Sequence, residues 1–460
     1  MAEFTTPEPA RRGTGHASLA ALGVKLGELD LLAPIREGVQ IPQKAVKYTP
    51  FDKLYDALIS ILAGAHALVE VNEGLRADPA LQRAFGRTAC AEQSVIQETL
   101  SAATEATVEQ METALDQIFR THSRAAHHDY AHSFQVLDID FSGLHCGKKA
   151  AGATKGFFDG HKSRRGRQLG RVLASRYDEI VVDRLYRGNC QLVSELPQLV
   201  KAAEETLSLT AEQRARTILR VDAGGGSVAD INAALERGYQ YHGKDFCGKR
   251  AQKLAKSVTT WYADPTRPER QVGWVEVEAS EYVRAVRRFA VRCRKPNNQW
   301  AVGVVISTLS AQTVLAETGQ PPELASDPAA ELFAYANFYD DRGGGIETSV
   351  KGDKQGLGIT KRNKKRFAAQ QMVVQLNALA HNLLVWARGW LEPAAPVVKR
   401  LGIKRLVRDL FGIRGTVETE ETGRVSRILL NEASPLARRC LAAFQLLVST
   451  QHVVLILGQT

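Results

Sequence analysis

Apolar residues change their period several times along the chain, and each change marks a predicted element. From Phe51 the spacing is three to four, with Leu54, Leu58, Ile61, Leu62 and Leu68 on one face of an amphipathic helix. Further helices are predicted over 79–86, 91–103 and 107–121. Residues 1–50 hold few periodic runs and several prolines and glycines, and read as an arm or a loosely packed lead-in. At Phe134 the character changes: FQVLDIDFSG is a strand in which Val136, Leu137 and Ile139 are apolar while Asp138 and Asp140 are acidic. RRGRQLGRVLAS (164–175) and YDEIVVDRLYRGN (177–189) read as two more strands, joined closely enough to be antiparallel neighbours. A helix at about 194–207 follows, then a strand in TILRVDAGGGS (217–227) that ends in Asp222, then a helix over 228–238 closed by Gly238.

Residues 239–330 combine a basic piece, GKDFCGKRAQKLAKS (243–257), with strands in QVGWVEVEA, RRFAVRCR and WAVGVVISTL. Trp261, Trp274 and Trp300 lie among them, either as core or as stacking platforms for an unpaired base. A helix at 329–337 leads into YDDRGGGIETSVKGDK (339–354), and a long helix over 361–391 has a basic start that includes Lys361 and Arg362, a solvated helix end or a phosphate contact. Pro393 and Pro396 end that helix, and TVETEETGRVSRILL (416–430) reads as a hairpin. The domain plan is an arm (1–50), a helical region (51–130), a mixed α/β core in two parts (131–243 and 329–392) around a β-rich insertion (244–328), and a C-terminal region (393–460). The helix in AEQSVIQETLSAAT (91–104) follows a short polar turn, as a recognition helix in a DNA-binding helical region does.

Composition is globular, 44% hydrophobic and 24% charged over 460 residues, and a formal charge of +10 favours an anionic partner, nucleic acid or a membrane surface. The six cysteines include no C-x-x-C pair, which argues against a zinc ribbon and for reduced thiols in a cytosol. Met1–Gly15 is polar and carries prolines, unlike a signal peptide, and the apolar Leu441–Gly458 is broken by polar residues, so it reads as core rather than membrane span. His128 and His132 have an i,i+4 spacing without a matching ligand set. GGGSVA (224–229), with Asp245 about twenty residues on, outlines a dinucleotide-binding fingerprint. Asp222 would aim negative charge at the pyrophosphate, and the preceding strands read as a meander, so a nucleotide-binding enzyme is the lesser alternative.

Three carboxylates far apart in sequence remain: Asp140 and Asp222 at strand ends, and Glu347 in a predicted helix beside Tyr339, Arg342, Lys351 and Lys354. On an ideal helix Glu347, Lys351 and Lys354 fall within about 60° of one another, which suits a solvated face with i,i+4 pairs or a site holding metal against phosphate. Carboxylates converging at one edge of a mixed sheet can bind two divalent cations, which activate the attacking oxygen and stabilise the leaving oxygen in phosphodiester chemistry.

The ordered set D-x-S (Asp140, Ser142), R-x-D (Arg220, Asp222) and Y-x-x-R…E…K (Tyr339, Arg342, Glu347, Lys354) resembles bacterial DDE transposases of the Y-R-E-K insertion-sequence group, over about 50–392. The resemblance implies a mixed α/β, RNase H-like core in which Asp140, Asp222 and Glu347 are the catalytic, metal-binding triad. It implies Mg2+, with Mn2+ possible, and two ions. Tyr339, Arg342 and Lys354 would contact phosphates near the cleaved end, Lys351, Lys361 and Arg362 would add DNA contacts, and a tryptophan of the insertion would stack on a flipped base. The partners implied are double-stranded DNA, as transposon ends and target, and a second copy in a homodimer on paired inverted repeats, with no membrane. The location implied is a bacterial cytoplasm, at the nucleoid. Asp138, on the same face as Asp140, is an alternative first carboxylate. Other readings are an RNase H-like nuclease or recombinase, and a catalytically silent DNA-binding protein.

The group pattern has three residues between Arg and Glu, and here there are four. Five steps from Arg342 to Glu347 turn an ideal helix by about 140°. Gly343, Gly344 and Gly345 predict an irregular backbone that absorbs the extra residue and leaves Arg342 and Glu347 facing one cleft.

Overall fold

The computed structural model describes residues 10–44, 47–156, 158, 161 and 163–459, so the first nine residues of the expected arm lie outside it. The chain divides into two compact units. One comprises Met1–Ser123, Cys146–Ala153 and Ser349–Thr460, and the other Arg124–His145 and Thr154–Thr348. Strand β1 (Ala10–Thr14) belongs to the first unit. The second contributes β2 (Gln135–His145), β3 (Thr154–Lys155), β4 (Arg165–Ala174), β5 (Glu179–Arg187) and β6 (Thr217–Val221). It continues with β7 (Gln240–Lys244), β8 (Tyr262–Asp264), β9 (Arg267–Trp274), β10 (Arg287–Arg294) and β11 (Trp300–Ser307). β12 (Gly415–Thr419), β13 (Val425–Asn431) and β14 (Val454–Gly458) return to the first unit.

The first unit is mainly helical. Helix Ala17–Glu28 is buried along Leu19, Leu22 and Leu26, which corrects the expectation of a loose lead-in before residue 50. The leucines keep helical spacing, but alanines and Gly23 between them blur the pattern; Gly23 is required because a Cβ there would stand 2.6 Å from the Phe85 ring. Helix Pro50–Leu62 opens with a capping box between Thr49 and Asp52. Helix Gln93–Ala102 turns Ile96, Thr99 and Leu100 inward and carries no Lys or Arg. The long helix begins at Phe367 rather than 361. The preceding residues are held in a turn, with Lys364 N donating to Gln370 Oε1 at 2.7 Å and the Arg362 guanidinium donating to the carbonyls of Leu357 and Ala65. The expected tail hairpin is β12–β13, within a sheet ordered β1-β12-β13-β14. Among the described residues no helix is long and apolar enough to cross a membrane.

The second unit is built on one ten-stranded mixed sheet, ordered β3-β4-β2-β6-β7-β11-β10-β9-β8 with β5 paired to β4. β5, β4 and β2 form the expected antiparallel meander, and β2, β6 and β7 run parallel. The core is a mixed α/β fold, as expected. The insertion strands extend the same sheet, because β11 pairs antiparallel with β7. Helix Pro328–Arg342 lies on this sheet through Leu332, Tyr335 and Phe338, which pack with Val136, Ile218, Phe289 and Val305. Burying each such side chain stabilises by about 1.5–3 kcal/mol, so the helix is firmly seated before any polar contact is counted.

Candidate active site

The parallel register of β2 and β6 pairs Asp138 with Arg220 and Ile139 with Val221. One step further, Asp222 lies just past the end of β6, while Asp140, expected at a strand end, is mid-strand because β2 continues to His145 on β4; it stands where the β2–β6 pairing stops, beside Asp222. β6 stops at Val221 because Asp222 becomes the cap of a short turn, its Oδ1 accepting from Gly224 N at 2.7 Å. Asp140 is half-buried, and Oδ1 accepts from the Phe141 N–H at 2.8 Å. Burial pushes the Asp140 carboxyl up to about 7; Arg342 and the Phe141 N–H oppose this, while the Asp222 and Glu347 carboxylates add to it.

Helix Pro328–Arg342 runs into a π turn, Gly343–Glu347. An i→i+5 turn returns residues five apart to one face, so the extra residue is absorbed as the three glycines predicted. Thr348 Oγ1 reinforces the turn by donating to Gly343 O at 2.9 Å. Arg342 accordingly faces both carboxylates, with Nη2 3.2 Å from Asp140 Oδ2 and Nη1 3.9 Å from Glu347 Oε1. Arg342 is almost fully buried, whereas the Glu347 side chain is 62% exposed and free to swing. Burial works against the Arg342 cation, but Asp140 first, then Tyr339 and Asp222, hold its proton more firmly than usual. Two of its nitrogens, Nε and Nη2, are buried without an aligned hydrogen-bond acceptor. The Tyr339 ring is 6.0 Å from the guanidinium and packs on the buried ring of His242. Burial pushes its phenol up to about 12, so it stays a neutral donor at physiological pH.

Asp138 and Asp140 are thereby distinguished. Asp138 is fully buried and saturated: Arg220 donates to Oδ1 from Nε at 2.6 Å and to Oδ2 from Nη2 at 2.9 Å, and Ser175 Oγ donates to Oδ2 at 2.5 Å. Only Asp140 retains access to the cleft. Asp140, Asp222 and Glu347 are hard oxygen donors of the kind divalent cations take. Among the described residues no three His, Cys, Asp or Glu side chains already stand in metal-holding range, and Arg342 supplies the positive charge between Asp140 and Glu347. The donor set therefore fits a cation once Glu347 turns inward.

The tryptophans separate. Trp274 is core, edge-on to Phe289 and Tyr335 at 6.1 and 5.6 Å with Arg287 4.2 Å above it, so it is not a free platform for a base. Trp261 and Trp300 hold Arg292 between them, at 4.0 and 4.5 Å, and Trp300 is 39% exposed. Arg362, expected at DNA, is instead buried and donates to two carbonyls of its own unit, and burial lowers its pKa to about 10. Lys361 is exposed. Lys351 is exposed on helix Thr348–Gly352, and Lys354 lies on a second π turn, Asp353–Leu357, in the other unit. The other sequence signals lapse. Asp245 is taken up by Arg250 and the Cys247 N–H, leaving no carboxylate for a ribose, and His132 pairs with Asp129 at the surface. Sequence reasoning gave no role to Ser175 or His242, and it read Gly345 only as part of the G-G-G run that loosens the backbone, not as the residue that faces Asp138.

A family model described as "Transposase DDE domain group 1" matches residues 29–451. No curated protein matches the chain. Among solved structures, the chain is similar to a cryo-EM structure of a piggyBac transposase synaptic complex with hairpin DNA, at 12% identity and a TM-score of 0.46, over 87% of this chain and 82% of that one. That likeness is too slight to bear on the site.

Proposed function

Because the chain belongs to the transposase DDE domain group 1 family, and is therefore a DNA transposase that uses divalent metal, we propose that Asp140, Asp222 and Glu347 are its catalytic carboxylates. The observation that carries this is the adjacency of Asp140 and Asp222 just beyond the paired stretch of parallel β2 and β6, with Arg342 and Glu347 brought to them by the π turn. Mg2+, or Mn2+, as a pair of ions would supply Lewis acidity to the attacking and leaving oxygens when bound. Asp140 and Asp222 provide fixed oxygen donors, and the exposed Glu347 swings in to complete the set. Arg342, with unsatisfied N–H groups, and Tyr339, a neutral phenol, are arranged to donate to phosphate oxygens at a cleaved end. Lys351, Lys354 and Lys361, carried by the other unit, are proposed as further contacts to DNA phosphates.

The substrate on this reading is double-stranded DNA carrying terminal inverted repeats, cut and rejoined by a homodimer on paired ends. The Trp261–Arg292–Trp300 stack is a platform for an unpaired base. The test uses duplex DNA carrying the repeats that flank the reading frame. Glu347→Gln should retain binding to that DNA and lose Mg2+-dependent end cleavage. Undiminished cleavage by Glu347→Gln would overturn the assignment, and a parent that binds but never cuts would mark a silent DNA-binding protein.

A further inference from the structure

The Arg220–Asp138 pair does more than neutralise a buried charge. Arg220 lies on β6 two residues before Asp222, and Asp138 on β2 two residues before Asp140. The guanidinium uses Nε and Nη2 on the Asp138 carboxylate, and its remaining Nη1 donates to Phe338 O at 2.6 Å. Phe338 O is four residues before Arg342, in the last full turn before the π turn. The guanidinium also lies 4.8 Å from the Phe338 ring. On its other side, the Asp138 carboxylate meets the π turn: a Cβ on Gly345 would stand 2.7 Å from Asp138 Oδ2 and 3.5 Å from Ser175 Oγ. One carboxylate and one guanidinium thus touch all the elements that carry Asp140, Asp222, Arg342 and Glu347.

We infer that Asp138 and Arg220 are positioning residues, a buried clamp that sets the height and rotation of the Tyr339–Glu347 segment over Asp140 and Asp222, with Gly345 as the bare backbone that lets the π turn rest on it. Removing the clamp leaves the sheet hydrophobic core intact but lets the helix and its π turn shift along the strands. Glu347 and Arg342 then no longer meet Asp140 and Asp222 at the distance metal binding needs. The inference rests on the reading of Asp140, Asp222 and Glu347 as the catalytic set.

A buried ion pair replaced by apolar groups of similar volume often keeps or gains stability, so Asp138→Leu with Arg220→Met separates folding from positioning. Three quantities are measured on the full chain: thermal unfolding, Mn2+ affinity by electron paramagnetic resonance without DNA, and Mg2+-dependent cleavage of repeat-bearing duplex. The double variant should melt like the parent and bind the duplex, with Mn2+ affinity and cleavage each down by about 10–100-fold. Gly345→Ala should reproduce both losses without touching either charge, and Gly344→Ala, whose Cβ meets nothing within 4 Å, should not. Parent-like Mn2+ affinity and cleavage in the double variant overturn the clamp. If the double variant does not fold, the same result in Gly345→Ala does so. Glu347→Gln keeps the two ideas apart: if it is inactive while the double variant cuts normally, the clamp fails and the triad stands, whereas if Glu347→Gln cuts normally the triad itself fails.

Discussion

Both halves of the ten-stranded sheet pair buried arginines with carboxylates, but the second also holds one arginine on aromatic rings instead. In the β5-β4-β2-β6 half, buried cations are matched to carboxylates: Arg220 to Asp138, and Arg171 to Asp183 with Nη2–Oδ2 at 2.6 Å. In the β8–β11 half, buried Arg270 pairs with Asp264 and buried Arg288 with Glu281, whereas Arg292 reaches no carboxylate among the described residues and is sandwiched by Trp261 and Trp300, with Nε on Gln271 Oε1 at 2.7 Å. The difference follows from burial. Under a covering helix an unpaired charge costs several kcal/mol, so hydrogen-bonding capacity left over there, as on Arg342, marks a place kept for a ligand. At a surface the same cation needs no partner, and aromatic faces hold it at a cost of little more than rotamer freedom. On the proposed reading, the first half does chemistry and the Trp261–Arg292–Trp300 stack of the second grips.

The largest effect expected is in the first half. If Asp222 is a catalytic carboxylate as proposed, Asp222→Asn removes a charge worth several kcal/mol in the transition state, so end cleavage should fall by about a thousandfold or more while the fold persists. Single-turnover cleavage beside a circular dichroism melt checks both. A variant that cuts within tenfold of the parent would mean Asp140 and Asp222 are not the reacting pair. Next in size is a structural loss in the second half. Trp274→Ala opens a cavity against Phe289 and Tyr335 and should lower unfolding free energy by about 3 kcal/mol in urea, with cleavage by the remaining folded enzyme little changed.

That contrast among three tryptophans shows what a sequence conveys and what it withholds. The strands of the core, the hairpin in the tail and the strand end at Asp222 were legible because period and order are local properties, whereas Asp140 lies mid-strand because β2 runs on to His145 against β4. So was the irregularity at 343–345, because a G-G-G run and one surplus residue can be counted. Trp274 and Trp300 could not be told apart, since both occupy basic strands and only the helix packed over Trp274 distinguishes them. Arg362 stood in a cationic run that looked solvated, yet two distant carbonyls claim it. Asp138 and Asp140 share a face, and only Arg220 decides which is spent. The lead-in before residue 50 failed for a plainer reason: a leucine helix diluted with alanine and glycine has a weak period, and its burial is dictated by what packs on it.

Trp300→Ala sharpens the comparison from the gripping side. Losing one face of the Trp–Arg–Trp stack should weaken binding to end DNA with unpaired bases near the nick by about 1–3 kcal/mol and leave the urea midpoint unmoved. Fluorescence of 2-aminopurine placed at successive positions would report which base is unstacked. Equal binding of parent and variant to nicked and intact duplex would remove the platform role.

The smallest expected effect lies at the seam between the halves, on β7. His242 is fully buried, pairs in register with Ser307 of β11, and places Nδ1 3.0 Å from Ser307 Oγ. Burial first, and then the nearby Arg220 charge, lower its pKa to about 3 from an ordinary 6.5. A base whose folded pKa is depressed gives stability that is complete above its unfolded value and is lost as pH falls from 6.5 towards 3. Each pH unit in that window costs at most about 1.4 kcal/mol from this residue. His242→Phe keeps a ring against Phe338 and Tyr339 but cannot take the proton, so its stability should decline less steeply than the parent's between pH 6 and about 4. Parallel curves in that range would show that protonation at the seam is shared by other groups and that His242 is held no differently in the fold than in the unfolded chain.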